Sequence, residues 1–125
     1  MRLLLDTHIL LWWLSDDGFL SASTREAIAN PHNLVSVSAA TAWEISIKRN
    51  LGKLVIPDDL EEQLITNGFE VIPISLADGL AAGNLPRHHD DPFDRMLIAQ
   101  AQARELTILS RDSRFARYEV KILPA

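Results

Sequence analysis

Short apolar runs alternate along this chain with stretches of helical periodicity. Arg2 to Leu5 reads as a short buried strand and Thr7 to Leu14 as a helix. Ser23-Thr24-Arg25-Glu26 has the spacing of a capping box and opens a helix running to about Asn30. Asn33 to Ser38 places Val35 and Val37 at strand spacing, and Ala39 to Asn50 has helical composition, with Gly52 where a helix end favours positive φ. Pro57-Asp58-Asp59 marks a further helix start, and that helix stops at Asn67-Gly68. Glu70 to Ile74 is a third strand and Ser75 to Gly83 a short helix, followed by a polar turn from Pro86 to Asp90. Pro92 suits a first helical position, so a helix from Pro92 to Glu105 follows. Thr107 to Ser110 is a fourth strand, Ser113 to Arg117 a helical turn, and Val120 to Leu123 a last strand.

Strands that alternate with helices imply a mostly parallel sheet covered on both faces, so the expected class is a three-layer α/β/α sandwich. No repeat or Gly/Pro/Ser-rich linker interrupts the pattern, and the 125 residues are expected to form one domain spanning 1–125. In such sheets sites form beyond the carboxyl ends of the strands. Asp6 directly follows the first strand and Asp112 comes two residues after the fourth. Asp94 lies in the first turn of the helix that begins at Pro92, and Glu44 lies inside Ala39 to Asn50.

Taken singly, each acid has a structural explanation. Asp6 and Asp112 can cap helices, and Asp91 with Asp94 around Pro92 resembles a capping box. Glu44 and Lys48 form an i,i+4 pair worth roughly 0.3–0.5 kcal/mol on an exposed face. Their surroundings argue for more. Asp6 sits between Leu3-Leu4-Leu5 and Ile9-Leu10-Leu11, Glu44 between Trp43 and Ile45, and Asp94 between Phe93 and Met96-Leu97-Ile98. Acids in apolar company are partly buried and need a partner. Two carboxylates ~4 Å apart repel by about 4 kcal/mol at an effective dielectric of 20, so several together hold protons or a cation.

Composition narrows the chemistry. There is no cysteine, which excludes disulfides, thiolate zinc sites, Cys nucleophiles and iron–sulfur clusters. An all-oxygen donor set points to a hard ion, Mg²⁺ or Mn²⁺. The net charge of −5, from 12 Lys+Arg against 17 Asp+Glu, excludes a bulk electrostatic coat for nucleic acid. Action on a polyanion would therefore need something other than net charge to overcome the repulsion, and a bound divalent cation is one candidate. Asp6 and His8 interrupt the apolar start, and no stretch approaches the ~20 apolar residues that cross a bilayer, so the cytoplasm is the expected location.

Four segments in order then resemble the PIN domain, specifically the VapC-type ribonuclease toxins of bacterial and archaeal toxin–antitoxin pairs. They are Leu-Leu-Leu-Asp6-Thr7-His8, Ser38-Ala-Ala-Thr-Ala-Trp-Glu44-Ile-Ser-Ile-Lys48, His89-Asp-Asp91-Pro-Phe-Asp94-Arg95-Met-Leu-Ile-Ala-Gln-Ala101 and Leu109-Ser110-Arg111-Asp112. The resemblance implies an acidic quartet of Asp6, Glu44, Asp94 and Asp112. Asp91 and Asp94 both compete for the third place; Asp94 precedes the apolar stretch of its helix as the family pattern requires, and Asp91 reads as the cap before Pro92. By resemblance Asp6 and Asp94 hold the metal directly, while Glu44 and Asp112 orient metal-bound water or bind a second ion. Ser110 and Thr7 add hydroxyl hydrogen bonds. The implied activity is endonucleolytic cleavage of RNA, with an antitoxin and a second copy of the chain as partners.

Other features read more plainly. Lys48, Arg49 and Lys53 form one basic cluster and Arg111, Arg114 and Arg117 another, each as compatible with a solvated face as with a phosphate track. Adjacent histidines on a turn rarely converge on one ion, so His88 and His89 are expected on an exposed loop. Trp12, Trp13 and Trp43 are expected in the core or at an interface rather than as stacking platforms for bases. Two rival functions remain: an inert PIN-like scaffold, and a phosphatase of the haloacid-dehalogenase type. The latter needs a second Asp two residues after the first, where this chain has His8.

Overall fold

The computed structural model describes residues 1–56 and 59–125. Its elements run β1 (Arg2–Leu5), α1 (Thr7–Leu14), α2 (Ala22–Ala29), β2 (Leu34–Ser38), α3 (Ala39–Asn50), α4 (Leu60–Thr66), β3 (Glu70–Ile72), α5 (Leu76–Asn84), α6 (Pro92–Arg104), β4 (Thr107–Ser110), a 3₁₀ turn (Ser113–Arg117) and β5 (Lys121–Pro124). The five strands form one all-parallel sheet in the order β3-β2-β1-β4-β5. The expected α/β class with a parallel sheet is what the chain adopts.

The pleat of β1 sorts the two cores. Leu3 and Leu5 point to one face, where Val35, Val37 and Leu109 meet Ile9 and Leu10 of α1, Ile28 of α2, Ile45 of α3 and Leu64 of α4. Leu4 points to the other, where Ile108 meets Leu97, Ile98 and Ala101 of α6 together with Phe115 and Tyr118. Helices therefore cover both faces, and all three leucines of β1 are fully buried. A sheet that buries both sides of its strands wants continuous apolar runs, which Leu3-Leu4-Leu5 and Ile108-Leu109 supply.

Local chemistry fixes the element ends. Gly52 (φ +72°) and Gly68 (φ +71°) each end a helix in the left-handed region. The amides of Gly52 and Lys53 return to the carbonyls of Arg49 and Lys48, and those of Gly68 and Phe69 to Ile65 and Leu64, the paired closure of a Schellman motif. Ser75 and Asp78 form a reciprocal capping box at the start of α5. One expected cap is displaced: α2 starts at Ala22 and is capped by Ser21, whose Oγ accepts the Thr24 amide, so Ser23 lies inside the helix. The reason is geometric, because a cap must reach the amide three residues on and Ser21 supplies that reach to Thr24. The third strand is shorter than expected, stopping at Ile72 before Pro73, which has no amide to continue the ladder. The last strand starts and ends one residue later than read, at Lys121 and Pro124. The Pro57-Asp58 helix start lies outside the described residues; Asp59 stands before α4 without a side-chain cap bond.

Both members of the Trp12–Trp13 pair are half-buried and pack against the first core. The Trp13 indole N–H donates to Asn67 Oδ1 at 2.9 Å. Trp43 is the outlying one, 60% exposed on α3 with its ring edge-on to Phe93.

Candidate active site

The site begins at the split between β1 and β4. These central strands are neighbours, yet the segments that leave their carboxyl ends turn to opposite faces of the sheet: α1 packs on the first core and the 3₁₀ turn on the second. Such a reversal opens a crevice at the strand ends. Asp6 and Asp112 stand on its two sides. Leu5 pairs with Leu109, and the Asp6 amide donates to the Leu109 carbonyl at 3.2 Å. That register sets Ser110 beside Asp6: its hydroxyl donates to Asp6 Oδ2 at 2.6 Å and accepts the Asp112 amide at 2.9 Å.

Asp6 stands at the N-terminus of α1, but its side chain makes no capping hydrogen bond. The capping explanation therefore fails for this residue. Its carboxylate is buried, and burial raises its pKa above the usual carboxylate range despite the Ser110 hydrogen bond.

Glu44 comes from the second turn of α3, on the face turned inward rather than toward solvent. Its Oε1 accepts the Thr7 hydroxyl at 2.7 Å and its Oε2 pairs with Lys48 Nζ at 2.8 Å. Glu44 is buried, so the expected exposed i,i+4 pair is instead a half-sheltered one that feeds a cation to the site. The hydroxyls of Thr7 and Ser110 bond acids as expected.

Asp94 occupies the first turn of α6, which Asp91 caps: Asp91 Oδ1 accepts the amides of Phe93 and Asp94 at 2.9 and 3.0 Å. Asp94 Oδ2 lies 2.7 Å from His89 Nε2. Burial raises the Asp94 pKa to about 6, helped by the negative charges of Asp91 and Asp6 and opposed by the His89 hydrogen bond. Asp112 caps the 3₁₀ turn and is gripped by the Arg114 guanidinium, which holds its carboxyl down at about 2.

The four sequence-predicted acids line one small cavity of about 90 Å³, together with Asp91, His8, Lys48 and Arg114. Two of them carry their own cations, Glu44 with Lys48 and Asp112 with Arg114. Among the described residues no lysine or arginine forms an ion pair with Asp6 or Asp94; Asp94 pairs with His89, which is a cation only when protonated. Raised pKa values on these two mark charge that burial penalises and that no lysine or arginine offsets.

His89 corrects the expectation of an exposed loop. His88 is exposed, but His89 is buried and sits against Asp94. The Tyr118 hydroxyl accepts the amides of both histidines and donates to the Pro86 carbonyl. Arg95 adds bonds to the carbonyls of Ala82, Leu85, Pro86 and His89. Side-chain atoms of His89, Asp94 and Asp112 lie within 4.8 Å of one another, a group that can hold a metal ion. Asp6 is outside that tight group though on the same wall. Composition offered no local signal for His89, because what fixes it comes from Tyr118, 29 residues away.

A parallel α/β domain with clustered carboxylates at a strand-order reversal is a scaffold suited to cation-assisted chemistry. The match to the PIN domain model runs over residues 3–121, and the chain belongs to the PIN domain family. Solved structures share the fold. VapBC2 from Rickettsia felis, bound to a DNA fragment from its promoter, is 17% identical with a TM-score of 0.69, covering 99% of this chain and 98% of that one. DNA-bound VapBC from Salmonella typhimurium is 16% identical with a TM-score of 0.70 over the same shares. VapBC-5 of the toxin–antitoxin family from Mycobacterium tuberculosis is 17% identical with a TM-score of 0.62, again over 99% and 98%. No curated protein matches the sequence.

Proposed function

We propose that this chain is a divalent-metal-dependent endoribonuclease that hydrolyses RNA phosphodiester bonds and acts as the toxin of a toxin–antitoxin pair. The observation that carries the reading is the imbalance in the acidic cavity: the buried Asp6 and the half-buried Asp94 have raised pKa values and no lysine or arginine partner, beside two acids that have one. A scaffold has no use for that arrangement, because unneutralised buried charge only destabilises it.

The donor chemistry fits a hard cation. The set is oxygen-rich and free of sulfur, and the His89 ring nitrogen facing the group is already engaged with Asp94. Asp6 and Asp94 would hold Mg²⁺ or Mn²⁺, with Asp112 in reach of the same place. Bound there, the ion would lower the pKa of water and offset charge on the phosphate. The protein's own residues do the rest. Ser110 fixes one oxygen of Asp6, and His89 fixes one oxygen of Asp94, so that the other lone pairs are presented in a set direction. Glu44, anchored by Thr7 and Lys48, stands as an acceptor that can orient a water molecule. Lys48 and Arg114 supply the positive charge on the cavity wall that an incoming phosphate meets in an otherwise acidic molecule. No side chain need act as a covalent nucleophile.

Other features support the partners. A groove of about 630 Å³ with a mainly apolar lining, including Leu11, Trp12, Leu54 and Ile56, adjoins the acids through His8 and Lys48 and suits an apolar antitoxin segment. Val71 on the edge strand β3, and Ile74, Leu76 and Leu80 after it, are exposed apolar residues, which suits a second copy of the chain. Among the described residues no helix is long and apolar enough to cross a membrane.

The test is purified protein, freed of any co-purifying partner, incubated with mixed cellular RNA and Mg²⁺ beside its Asp6→Asn variant. Cleavage by the parent alone, abolished by chelator, is the expected result. Equal cleavage by both proteins, or by neither, overturns the proposal.

A further inference from the structure

The acidic cavity is too small for a nucleotide. At about 90 Å³ it has room for an ion and a few waters or phosphate oxygens, each water filling ~30 Å³ of liquid. A strand that delivers its phosphate to these acids must lay its bases outside. On one side the cavity opens into a cleft of about 320 Å³, at the lower end of the ~300–1,000 Å³ typical of ligand sites. The two spaces share Asp6, His8 and Asp112, so whatever reaches one is at the mouth of the other. The far wall of the cleft is Trp12 and Arg111.

These two residues are layered, with the Arg111 guanidinium over the face of the Trp12 indole and offering its own outer face to the cleft. The Arg111 guanidinium carbon lies 4.8 Å from the centroid of the Trp12 ring, and the rings of His8 and Phe19 each stand 5.8 Å from it. Arg111 and His8 are exposed, and Trp12 is half-buried, anchored by its other edge in the core. Unpaired bases are taken up by aromatic rings and by guanidinium planes, because every base has a π-face and stacking needs no particular hydrogen-bond pattern. The placement also answers the electrostatic difficulty of an acidic protein on RNA. Affinity drawn from stacking needs no net positive charge, and Arg111 adds a cation to the lining that the cleft shares with Asp6 and Asp112.

We infer that Trp12 and Arg111 form a stacking subsite for one unpaired base of a single-stranded RNA, next to the phosphate held at the acids. This rests on the RNA reading above and specifies how the substrate is gripped. Trp12 also lines the apolar groove, so the base and a partner segment compete for the same indole. The sequence expectation that Trp12 serves only core or interface is thereby extended: its buried edge does the packing and its outer part binds.

Fluorescence anisotropy with a labelled 12-nucleotide single-stranded RNA tests this, using Asp94→Asn protein so that binding is read without cleavage. Trp12→Ala is expected to weaken binding on the order of tenfold, Trp12→Phe to retain most of it, and Arg111→Ala to weaken it severalfold. Arg111→Lys, which keeps the charge and loses the plane, should fall between. Arg111 is on the surface and its variants fold, so the result does not depend on Trp12→Ala remaining native. An oligonucleotide of the same length with abasic sugars should bind no better to the parent than to the variants. The subsite is overturned if Arg111→Ala and Trp12→Ala bind as the parent does, if abasic and intact strands bind alike, if the RNA is not bound, or if the effect of Trp12 is confined to association with a protein partner. Base-dependent binding without any hydrolysis by the unsubstituted protein would keep the subsite and sink the nuclease. Hydrolysis indifferent to both residues would do the reverse.

Discussion

His89 Nε2 stands 2.7 Å from Asp94 Oδ2, five residues apart in sequence but joined across a turn that Tyr118 and Arg95 hold from outside. The pair gives Asp94 a fixed orientation before any ligand arrives. His89→Ala should therefore reduce divalent-metal affinity by about 10–100-fold, the usual cost of losing the group that orients a ligating side chain. His89→Gln keeps a donor and should recover part of it. Tyr118→Phe should act in the same direction, because it leaves the amides of His88 and His89 and the Pro86 carbonyl without their hydroxyl partner. Titration of Mn²⁺ followed by melting temperature reads all three; unchanged affinity in His89→Ala would refute the role.

Charge removal separates function from stability. Asp94→Asn and Asp6→Asn should each lower RNA cleavage by at least about a hundredfold, since each removes a proposed ligand and not merely its support. In metal-free buffer at neutral pH the same Asp94→Asn protein should melt higher than the parent, because the substitution deletes a half-buried charge with no lysine or arginine partner and leaves an oxygen for His89. A variant both inactive and destabilised would point to simple misfolding.

The pH response follows from Asp94. Its carboxyl titrates at about 6 in the folded protein against 3.8 ordinarily, with His89, Asp91 and Asp6 as the facing groups. Between those values the folded state holds a proton that the unfolded chain releases, so metal-free stability should fall as pH rises from about 4 through 6 and level off above. Metal affinity should move the other way and weaken as pH drops below about 6, because the ligand must be ionised. Melting curves with and without Mn²⁺ across this range should converge at acid pH, and the metal-free slope should flatten in Asp94→Asn.

Much of this could be read from the chain, and the part that could not has a common cause. Periodicity located the strands and most helices because apolar spacing is a local property: Leu3-Leu4-Leu5 announces a strand buried on both faces wherever it sits. Asp6, Asp94 and Asp112 were legible because they stand next to strand and helix ends, and Glu44, inside its helix, because it stands between Trp43 and Ile45 in a stretch that resembles the PIN pattern. Asp91 reads as a cap from its place before Pro92, and the hydrogen bonds at its Oδ1 agree, whereas the choice of Asp94 for the acidic group came from the PIN resemblance. His89 was not legible, since its burial depends on a tyrosine and an arginine from elsewhere in the chain. The partners of Glu44 and Asp112 were visible as nearby Lys48 and Arg114, but not that both pairs would face one cavity and leave Asp6 and Asp94 unbalanced. Relative charge across a site is a tertiary quantity.

Stability has its own anchor at the other end of α6. Arg104 makes two hydrogen bonds of 2.9 Å to Asp78, a buried acid of α5 that also accepts from Gln100 Nε2 at 3.2 Å and from the Ser75 amide at 3.0 Å. The guanidinium holds the Asp78 carboxyl far below the ordinary carboxylate range. Arg104→Ala would leave that charge buried with only neutral donors, a loss of about 3 kcal/mol at the lower end for broken buried pairs, because Arg104 itself is partly exposed. At roughly 4 °C per kcal/mol for a domain of this size, the melting temperature should drop by on the order of 10 °C. Arg104→Lys should recover only part, since an ammonium cannot match the two-point grip. Ten residues of helix separate Arg104 from Asp94, about 15 Å at 1.5 Å per residue, and among the described residues neither Arg104 nor Asp78 hydrogen-bonds to a cavity acid. RNA cleavage per folded molecule, measured well below the lowered melting point, should therefore match the parent; a fall in that rate would mean that the α5–α6 clamp reaches the site through the helix.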